Sequence, residues 1–360
     1  MENNLVVTNL HKYYKQRIKS ENSSFISVTK KVKALDGVSF SVSKGEIVGI
    51  IGESGCGKST LGKLLINLET PSMGEIFINN KDSKSIIKNN MLSFRRLVQM
   101  IFQNPYDSFD PRNTIIKSII STLKLHSIGN TEKEMYDIAC SSMKEVGLEP
   151  AEDYLHRYPH ELSGGQLQRI SILRAMLLKP KILIADEPVS MLDVSVRADI
   201  IKMLKNLSQS NNTSLIFISH DINTVRYISD RVMVMYLGRI VESGYTDEVL
   251  HNPHHPYTKV LISNCSSIDV FEKKEKIKIS GDPPTPIDNG PGCYFAPRCY
   301  MAKNICFEKY PDISNINDNH SATCHFIKKY KILEGEKHEK SNICFVNFII
   351  NGLPICWMFR

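Results

Sequence analysis

The sequence predicts an α/β protein built on a mostly parallel sheet, and three observations lead to that fold class. Short apolar runs that are typical of buried strands are each followed by a helical pattern, at 46–51, 181–186 and 214–219. A block with helical periodicity, strongest over 113–146, separates the first run from the other two. After about residue 255 prolines and glycines accumulate, which indicates a region of different character.

Composition excludes several classes of protein. The 360 residues carry 45 Lys and Arg against 38 Asp and Glu, a net charge of +7, and 42% are hydrophobic. The mean hydropathy is -0.20. These values and the lack of a long apolar run exclude a disordered, collagen-like, coiled-coil or multi-spanning membrane protein. No signal-peptide core is visible near residue 1, and nine scattered cysteines favour a reduced, cytosolic setting.

Further strands flank this core in the sequence. The segment VKALDGVSFSV at 32–42 alternates apolar and polar residues, as a half-exposed strand does, and 74–80 has the composition of another short strand. The segment at 231–244 predicts a hairpin with its turn near Leu237 and Gly238.

A phosphate-binding loop is predicted at Gly52–Ser59, which fits G-x-x-x-x-G-K-[ST] in full between a strand and a helix. Lys58 would reach the β- and γ-phosphates and Ser59 would bind Mg²⁺, while backbone N–H groups surround the phosphates. A plain glycine-rich turn is the alternative, and the placement between strand and helix makes it the weaker one. The nucleotide-binding candidates are Gly52, Ser54, Gly55, Cys56, Gly57, Lys58, Ser59 and Thr60.

An acidic pair follows the apolar run at 182–185. Asp186 stands where a strand ends and would hold Mg²⁺, and Glu187 would act as the general base for the attacking water. An Asp-Glu pair alone is common, but together with the phosphate loop it predicts a P-loop NTPase.

Between the two motifs the sequence reads Leu-Ser-Gly-Gly-Gln at 162–166, and with it the chain resembles the ATP-binding cassette family. The resemblance implies a RecA-like core with an antiparallel β appendage, an inserted helical subdomain and a small Cys-bearing C-terminal domain. It also implies ATP and Mg²⁺ as ligands. Ser163, Gly164, Gly165 and Gln166 would grip the γ-phosphate of an ATP held by a facing cassette.

Four further positions match the family pattern. Gln103 corresponds to the Q-loop residue that senses metal and water and contacts the membrane partner, so the resemblance makes it a catalytic and Mg²⁺-binding candidate. Asp193 corresponds to the D-loop, and His220 to the switch histidine that contacts the γ-phosphate. Tyr14 resembles the aromatic residue that stacks on adenine, with Tyr13 as its competitor.

Three segments narrow the resemblance to the oligopeptide/dipeptide importer ATPases: VKALDGVSF at 32–40, ADEPVSMLDVSVRADI at 185–200 and NPHHPYTKVL at 252–261. That family implies an ATP-hydrolysing subunit at the cytoplasmic face of the cell membrane. Its implied partners are two transmembrane permease subunits, a second ABC ATPase and an extracytoplasmic peptide-binding protein, with no nucleic acid. Relatives more often pair with a different ATPase, so a heterodimer is favoured over a pair of identical chains. Import of another solute such as nickel, and a cassette acting on nucleic acid or ribosomes, stay as alternatives.

The later cysteines form the pattern C-x5-C-x6-C-x17-C at Cys293, Cys299, Cys306 and Cys324. Structural zinc sites usually use closer pairs, whereas wider spacing can wrap a cluster held by four thiolates. The family resemblance links this segment to a [4Fe–4S] cluster, while zinc and merely buried thiols stay open. His320 and His325 are possible substitute ligands, although ordinary surface positions are expected for them.

These patterns predict three regions. Residues 1–255 form the nucleotide-binding domain, with its helical subdomain at about 95–170, and 256–330 form the C-terminal domain with the four cysteines. The tail at 331–360 is apolar towards its end, contains Trp357 and is too short to span a bilayer. No function is assigned to it.

Overall fold

The computed structural model describes residues 2–20, 23–265, 277, 279, 281, 284–287, 289–327, 349–350 and 353–354, without the side chains of 18–20, 23–28, 349–350 and 353–354. Residues 1–328 form one compact unit, and 329–360 form a second, which is treated separately below. Helices and strands are numbered in chain order.

The strands are β1 (Asn3–Ser20), β2 (Ser23–Ser43), β3 (Ile47–Ile51), β4 (Met73–Ile78), β5 (Lys81–Asp82), β6 (Val98–Ile101), β7 (Ile182–Asp186), β8 (Ser214–Ile218), β9 (Arg231–Tyr236), β10 (Arg239–Tyr245), β11 (Ser314–Asn317), β12 (His320–Ala322), β13 (Ile349–Ile350) and β14 (Leu353–Pro354). The helices are α1 (Lys58–Leu65), α2 (Ser83–Asn89), α3 (Met91–Leu97), α4 (Ile115–Leu125), α5 (Glu132–Glu145), α6 (Glu152–Leu155), α7 (Gly164–Met176), α8 (Val194–Ser210), α9 (Ile222–Ile228), α10 (Thr246–His251), α11 (Pro256–Ser263) and α12 (Asn304–Glu308).

The main sheet has the strand order β11-β12-β10-β9-β3-β8-β7-β6. Strands β9, β3, β8, β7 and β6 pair in parallel, and β3, β7 and β8 are buried along their whole length. Strands buried on both faces read as continuous apolar runs, which is why the sequence predicted them. Successive residues of β3 contribute to two different apolar cores, Ile47 and Ile51 to one, Val48 and Ile50 to the other.

A second, antiparallel sheet has the order β2-β1-β4-β5 and is the β appendage that the sequence predicted. The hairpin between β9 and β10 is also confirmed. Its two turn residues, Leu237 and Gly238, both have positive φ values, 42° and 77°, as a two-residue turn that matches the strand twist requires.

A helical block of α4, α5 and α6 lies in the chain between β6 and α7, which agrees with an inserted helical region. Helix α5 starts with a capping box in which Thr131 and Glu134 bond each other's backbone N–H groups. The predicted limits of about 95–170 include β6, however, and β6 is the edge strand of the main sheet. Four residues without apolar continuity, Val-Gln-Met-Ile, gave too weak a pattern to identify this strand in advance.

The C-terminal segment of the first unit joins the core sheet. Strand β12 pairs with β10 through Glu242 and Ala322, and β11 pairs with β12, so the sheet continues beyond the hairpin. This arrangement places 314–322 in the same compact unit as the nucleotide-binding core. A separate Cys-bearing domain at 256–330 stays a prediction.

The second unit, 329–360, is described only at β13 and β14, which form a small antiparallel pair. The rest of the predicted apolar tail, including Trp357, lies outside the described residues. Among the helices that the structure describes, none has the length and apolar character needed to cross a membrane.

Candidate nucleotide-binding and hydrolysis site

The predicted phosphate loop connects β3 to α1. Gly57 has a φ of +105°, and a Cβ there would lie 2.4 Å from the carbonyl oxygen of Ala34, so the turn requires glycine. Lys58 is only 7% exposed, and its amine donates to the carbonyl oxygens of Gly52 (2.7 Å) and Glu53 (3.0 Å). The loop therefore places an amine at the start of a helix, where backbone N–H groups without intrahelical partners favour an anion such as a nucleotide phosphate.

The other loop residues divide into a buried and an exposed set. Cys56 is 2% exposed, and burial raises the pKa of its thiol, so it acts as an apolar filler beneath the loop. Ser54, Gly55 and Ser59 are exposed, and Thr60 is half-buried.

Asp186, the last residue of β7, lies next to the phosphate loop. Its Oδ1 accepts a hydrogen bond of 3.2 Å from the Ser59 hydroxyl, although the two residues are 127 positions apart. Burial raises the pKa of Asp186, and the bond from Ser59 partly offsets that shift. A carboxylate and a hydroxyl are oxygen ligands of the kind that Mg²⁺ prefers, so the pair fits that ion.

Glu187 follows in a left-handed conformation, with a φ of +51°. Its N–H donates to the carbonyl oxygen of Ile218, 2.9 Å away, which fixes the turn to the end of β8. Both carboxylate oxygens lie 2.7–2.8 Å from Nδ1 of His220. The Glu187 side chain is 15% exposed and that of His220 65%, so the carboxylate is sheltered behind an accessible imidazole. This pairing suits a base that is oriented by a neighbouring histidine.

Gln103 is exposed and lies two residues beyond β6. Strand β6 pairs in parallel with β7, with Ile101 opposite Ala185, so Gln103 leaves the sheet at the same edge as Asp186. Ligands of open α/β sheets bind at this carboxyl edge. The position agrees with the predicted Mg²⁺ and water contact, whose role stays a prediction.

The predicted signature forms a separate helix end. Ser163 caps α7: its hydroxyl accepts from the Gln166 N–H at 3.3 Å, and its own N–H donates to the Gln166 side chain at 3.0 Å. A Cβ on Gly165 would lie 2.8 Å from Val196, so glycine lets α7 and α8 approach closely. Asp193 precedes α8 and is exposed. The structure thus joins Ser59, Asp186, Glu187 and His220, and presents the signature elsewhere, with its four residues exposed or half-buried at the start of α7.

The two candidate tyrosines of β1 have different surroundings. The Tyr14 side chain interacts with Glu69 and with Thr60 of α1, and Lys12 lies 5.0 Å from the centre of its ring. Tyr13 donates instead to Asp36 at 3.0 Å. Burial raises the pKa of Tyr14, as expected for a ring packed beside the loop helix. Tyr14 is therefore the better-placed residue for adenine stacking, a role that stays a prediction.

The four cysteines of the C-terminal segment lie near one another. The pKa of Cys293 is raised to about 11, chiefly by burial and to a smaller extent by the thiols of Cys306, Cys324 and Cys299. The Cys299 sulfur accepts a hydrogen bond of 3.4 Å from the Met301 N–H. Within the described part of the chain, however, no group of three or more His, Cys, Asp or Glu residues is placed to hold a metal ion.

The two substitute ligands are engaged elsewhere. His320 bonds Glu242 at 2.8 Å and is only 3% exposed, so the expectation of an ordinary surface position was wrong for it. Its burial follows from its place on β12, which pairs with β10. His325 bonds the Lys309 carbonyl oxygen at 2.9 Å.

Comparisons with known proteins agree with this geometry. Residues 35–190 match the family model described as ABC transporter, and residues 241–306 match the one described as Oligopeptide/dipeptide transporter, C-terminal region. The chain is 41% identical over 321 residues to the dipeptide transport ATP-binding protein DppF of Haemophilus influenzae, covering 88% of this chain and 95% of DppF. The chain belongs to the family of ABC transporter ATP-binding subunits.

Two further likenesses refine this picture of an ABC ATPase. The chain is 43% identical over 303 residues to the oligopeptide transport ATP-binding protein AppF of Bacillus subtilis, covering 82% of this chain and 89% of AppF. Its fold is similar to that of the ATP-binding cassette MJ0796, solved as a dimer in a post-hydrolysis state bound to ADP and Pi. The TM-score is 0.58 at 27% identity, over 67% of this chain and 98% of MJ0796. The predicted cassette fold is thereby confirmed.

Sequence reasoning missed one set of contacts in this ABC ATPase. Glu53, a variable position of the phosphate-loop motif, receives two hydrogen bonds from Arg298 at 2.7 and 3.1 Å, and its N–H donates to the Tyr257 hydroxyl at 2.8 Å. Nothing in the local spacing connects Glu53 with residues more than 200 positions later. The only signal was that both partners stand in segments that resemble the peptide importer ATPases.

Proposed function

We propose that this ABC ATPase powers the import of oligopeptides or dipeptides through a separate membrane permease. The observation that carries the proposal is the match of 241–306 to the C-terminal region of oligopeptide/dipeptide transporters, in a chain whose NTPase residues are hydrogen-bonded to one another. Relatives named for dipeptide and oligopeptide transport, which the chain matches over most of its length, support the same substrate class.

The residues have distinct roles in the proposed reaction. Lys58 and the loop N–H groups bind the phosphates of ATP. Ser59, Asp186 and Gln103 would hold Mg²⁺, which would neutralise charge on the phosphates. Glu187 accepts the proton of the attacking water, and His220 holds the Glu187 carboxylate in place while its exposed face meets the γ-phosphate.

The proposed assembly places a second cassette opposite this one. The signature residues Ser163–Gln166 are exposed or half-buried at a helix start, which suits a phosphate brought by another molecule. The dimeric structure of MJ0796 supports such a pairing. The facing cassette is proposed to be a different ATPase, with two permease subunits and an extracytoplasmic peptide-binding protein completing a complex at the cytoplasmic face of the membrane.

Co-purification from the native cell tests this proposal. The tagged chain, extracted from gently solubilised membranes, should bring down two multi-span proteins and a second cassette. The complex in proteoliposomes should then take up labelled di- to pentapeptides in the presence of ATP, and the same complex with Glu187→Gln should not. ATP-driven uptake of nickel without peptide uptake, or recovery of ribosomes or nucleic acid without a membrane subunit, would contradict it.

A [4Fe–4S] cluster on Cys293, Cys299, Cys306 and Cys324 is proposed for the C-terminal segment. The thiols lie close enough for their neighbours to raise the pKa of Cys293 and Cys299, and the Met301 N–H bonds the Cys299 sulfur; both support the proposal, because bonds to the sulfurs tune cluster thiolates. No step of ATP hydrolysis is assigned to it. Anaerobic purification with iron, sulfide and zinc analysis tests the proposal, with Cys306→Ser against the matched Cys140→Ser. Iron lost only in Cys306→Ser supports a cluster, and zinc or no metal in the wild type contradicts it.

A further inference from the structure

Glu53 carries a negative charge into the phosphate loop, which must bind the polyanionic part of the nucleotide. Glu53 directly follows Gly52, and the carbonyl oxygen of Glu53 accepts a hydrogen bond from the Lys58 amine. A carboxylate in the loop that binds the nucleotide phosphates opposes that binding unless a cation neutralises it. The chain supplies that cation from a different region.

Arg298 is the neutralising group. Its two terminal nitrogens donate to the two carboxylate oxygens of Glu53, at 2.7 and 3.1 Å, in the bidentate geometry that makes such pairs strong. The Arg298 side chain is 8% exposed and that of Glu53 25%, so water screens the pair weakly.

The surroundings hold Arg298 in that position. It also donates to the Tyr236 hydroxyl at 3.3 Å, and the Tyr236 ring packs against Tyr257 and Phe295 with centres 4.7 and 5.2 Å apart. The Tyr257 hydroxyl accepts the Glu53 N–H, so the loop residue is held through both backbone and side chain.

Arg298 is also part of the cysteine segment. It ends a short 3-10 turn, Ala296–Arg298, that lies between Cys293 and Cys299. The Cys293 N–H donates to the Cys306 carbonyl oxygen at 2.7 Å, and the Cys299 N–H to that of Ala296 at 3.2 Å. The backbone that carries Arg298 is therefore fixed by the same segment that carries the four thiols.

We propose that Arg298 is a positioning residue of the phosphate loop, through which the cysteine segment sets the affinity for ATP. It neutralises Glu53 and fixes the loop in its binding conformation without contacting the nucleotide. The inference rests on the ATP-dependent function proposed above, because it concerns the same nucleotide site.

Binding of mant-ATP, a fluorescent ATP analogue, to the full-length chain tests the proposal. Arg298→Met should weaken binding about tenfold at low salt, since it leaves an unneutralised carboxylate beside the phosphates. The loss should shrink as ionic strength rises, because salt screens the exposed charge. In a Glu53→Gln background, Arg298→Met should change the affinity less than twofold, and Arg298→Lys should show an intermediate loss.

Arg239→Met is the matched control. Arg239 anchors the same segment to the N-terminal sheet through Asp36 and stacks at 4.0 Å on Tyr310, without contact to Glu53. It should lower the melting temperature at least as much as Arg298→Met, yet its effect on mant-ATP affinity should not depend on Glu53→Gln.

Three results would overturn the inference: an unchanged affinity in Arg298→Met, a loss that persists in the Glu53→Gln background, or a loss independent of salt. A wild-type chain that binds no mant-ATP would contradict the ATP-dependent function itself, so the two failures are distinguishable.

Discussion

The hydrolysis site and the C-terminal segment are built in opposite ways. At the hydrolysis site, the functional residues stand in short sequence segments at the ends of β3, β7 and β8, and the pairing of these strands brings the segments together. In the C-terminal segment, single side chains act across the chain: Arg298 reaches Glu53 over 245 positions, and Tyr294 reaches Asp36 over 258. Functional residues that stand together in a short segment form a motif that can be recognised in the sequence, whereas a single contact between distant positions leaves no local pattern.

Asp36 illustrates the second type of construction. It is 3% exposed and accepts hydrogen bonds from Tyr13 of β1, from Arg239 of β10 and from Tyr294 of the C-terminal segment. Burial alone would raise the pKa of Asp36, but the bonds from Tyr294 and Arg239 outweigh burial and hold it well below its usual range. One carboxylate thus joins three parts of the chain.

The greatest loss of activity is expected from a substitution at the hydrolysis site. Glu187→Gln should lower ATP turnover about 1000-fold while mant-ATP binding persists, because the variant lacks the proton acceptor but keeps the phosphate contacts. Phosphate release measures turnover. Glu145→Gln, a change at an exposed position at the end of α5, is the control and should hydrolyse ATP as the wild type does. Near-normal turnover in Glu187→Gln would refute the role of this carboxylate.

A smaller loss, in stability, is expected when the long-range contacts of Asp36 are removed. Asp36→Asn should lower the free energy of unfolding by about 3 kcal/mol at pH 7, because it removes a buried carboxylate and leaves the half-buried Arg239 without its counter-charge. Urea denaturation of the full chain measures it. Asp312→Asn removes an exposed ion pair with Lys309 and should have no measurable effect.

The pH dependence of that loss follows from the direction of the pKa shift. A carboxyl group with a lowered folded-state pKa stabilises the protein above its unfolded pKa of about 3.9, and this contribution disappears as pH falls towards the folded value. The stability gap between wild type and Asp36→Asn should therefore be constant above about pH 5 and narrow below about pH 4. A gap that widens in acid would contradict the assignment.

A smaller effect separates two neighbours on β1. Tyr14→Ala should weaken mant-ATP binding about tenfold through loss of ring stacking on the base. Tyr13→Phe should leave that affinity unchanged and lower the melting temperature, because its hydroxyl serves Asp36. If Tyr13→Phe alone weakens binding, the assignment of the two tyrosines is reversed.

The effect that is smallest at pH 7 concerns His255, which caps α11 by accepting the Tyr257 N–H at 3.1 Å. Burial lowers the pKa of His255 to about 4, against about 6.5 in the unfolded chain. The unfolded state then binds more protons between these values, so stability falls as pH drops from about 6.5 to about 4. His255→Asn keeps a capping group and should flatten this slope, as measured by unfolding at pH 7, 6 and 5. An unchanged slope would contradict the shift.

Much of the fold and the hydrolysis site could be predicted from the sequence. The buried strands β3, β7 and β8 are continuous apolar runs, and Lys58, Asp186 and Glu187 stand at fixed places beside them. The turn at Leu237 and Gly238 was predictable from the break in a hairpin pattern.

The remainder depends on tertiary packing that no local pattern records. Strand β6 is four residues long and owes its place to pairing with β7. Strands β11 and β12, Ser314–Asn317 and His320–Ala322, are polar; β12 forms against the edge of β10, and β11 forms against β12. The partners of Glu53 and Asp36 could not be predicted for the same reason, because a single ion pair between distant residues produces no periodic pattern in the sequence.

The edge that β12 covers has a consequence for protein synthesis. A chain that has emerged from the ribosome only as far as β10 carries a hairpin whose outer N–H and C=O groups lack the partners that 320–322 later provide. Unpaired strand edges recruit other chains, so prematurely terminated copies should aggregate at this strand. The same late-emerging part of the chain carries Arg298, so its ion pair with Glu53 of the phosphate loop forms only after synthesis has passed residue 298.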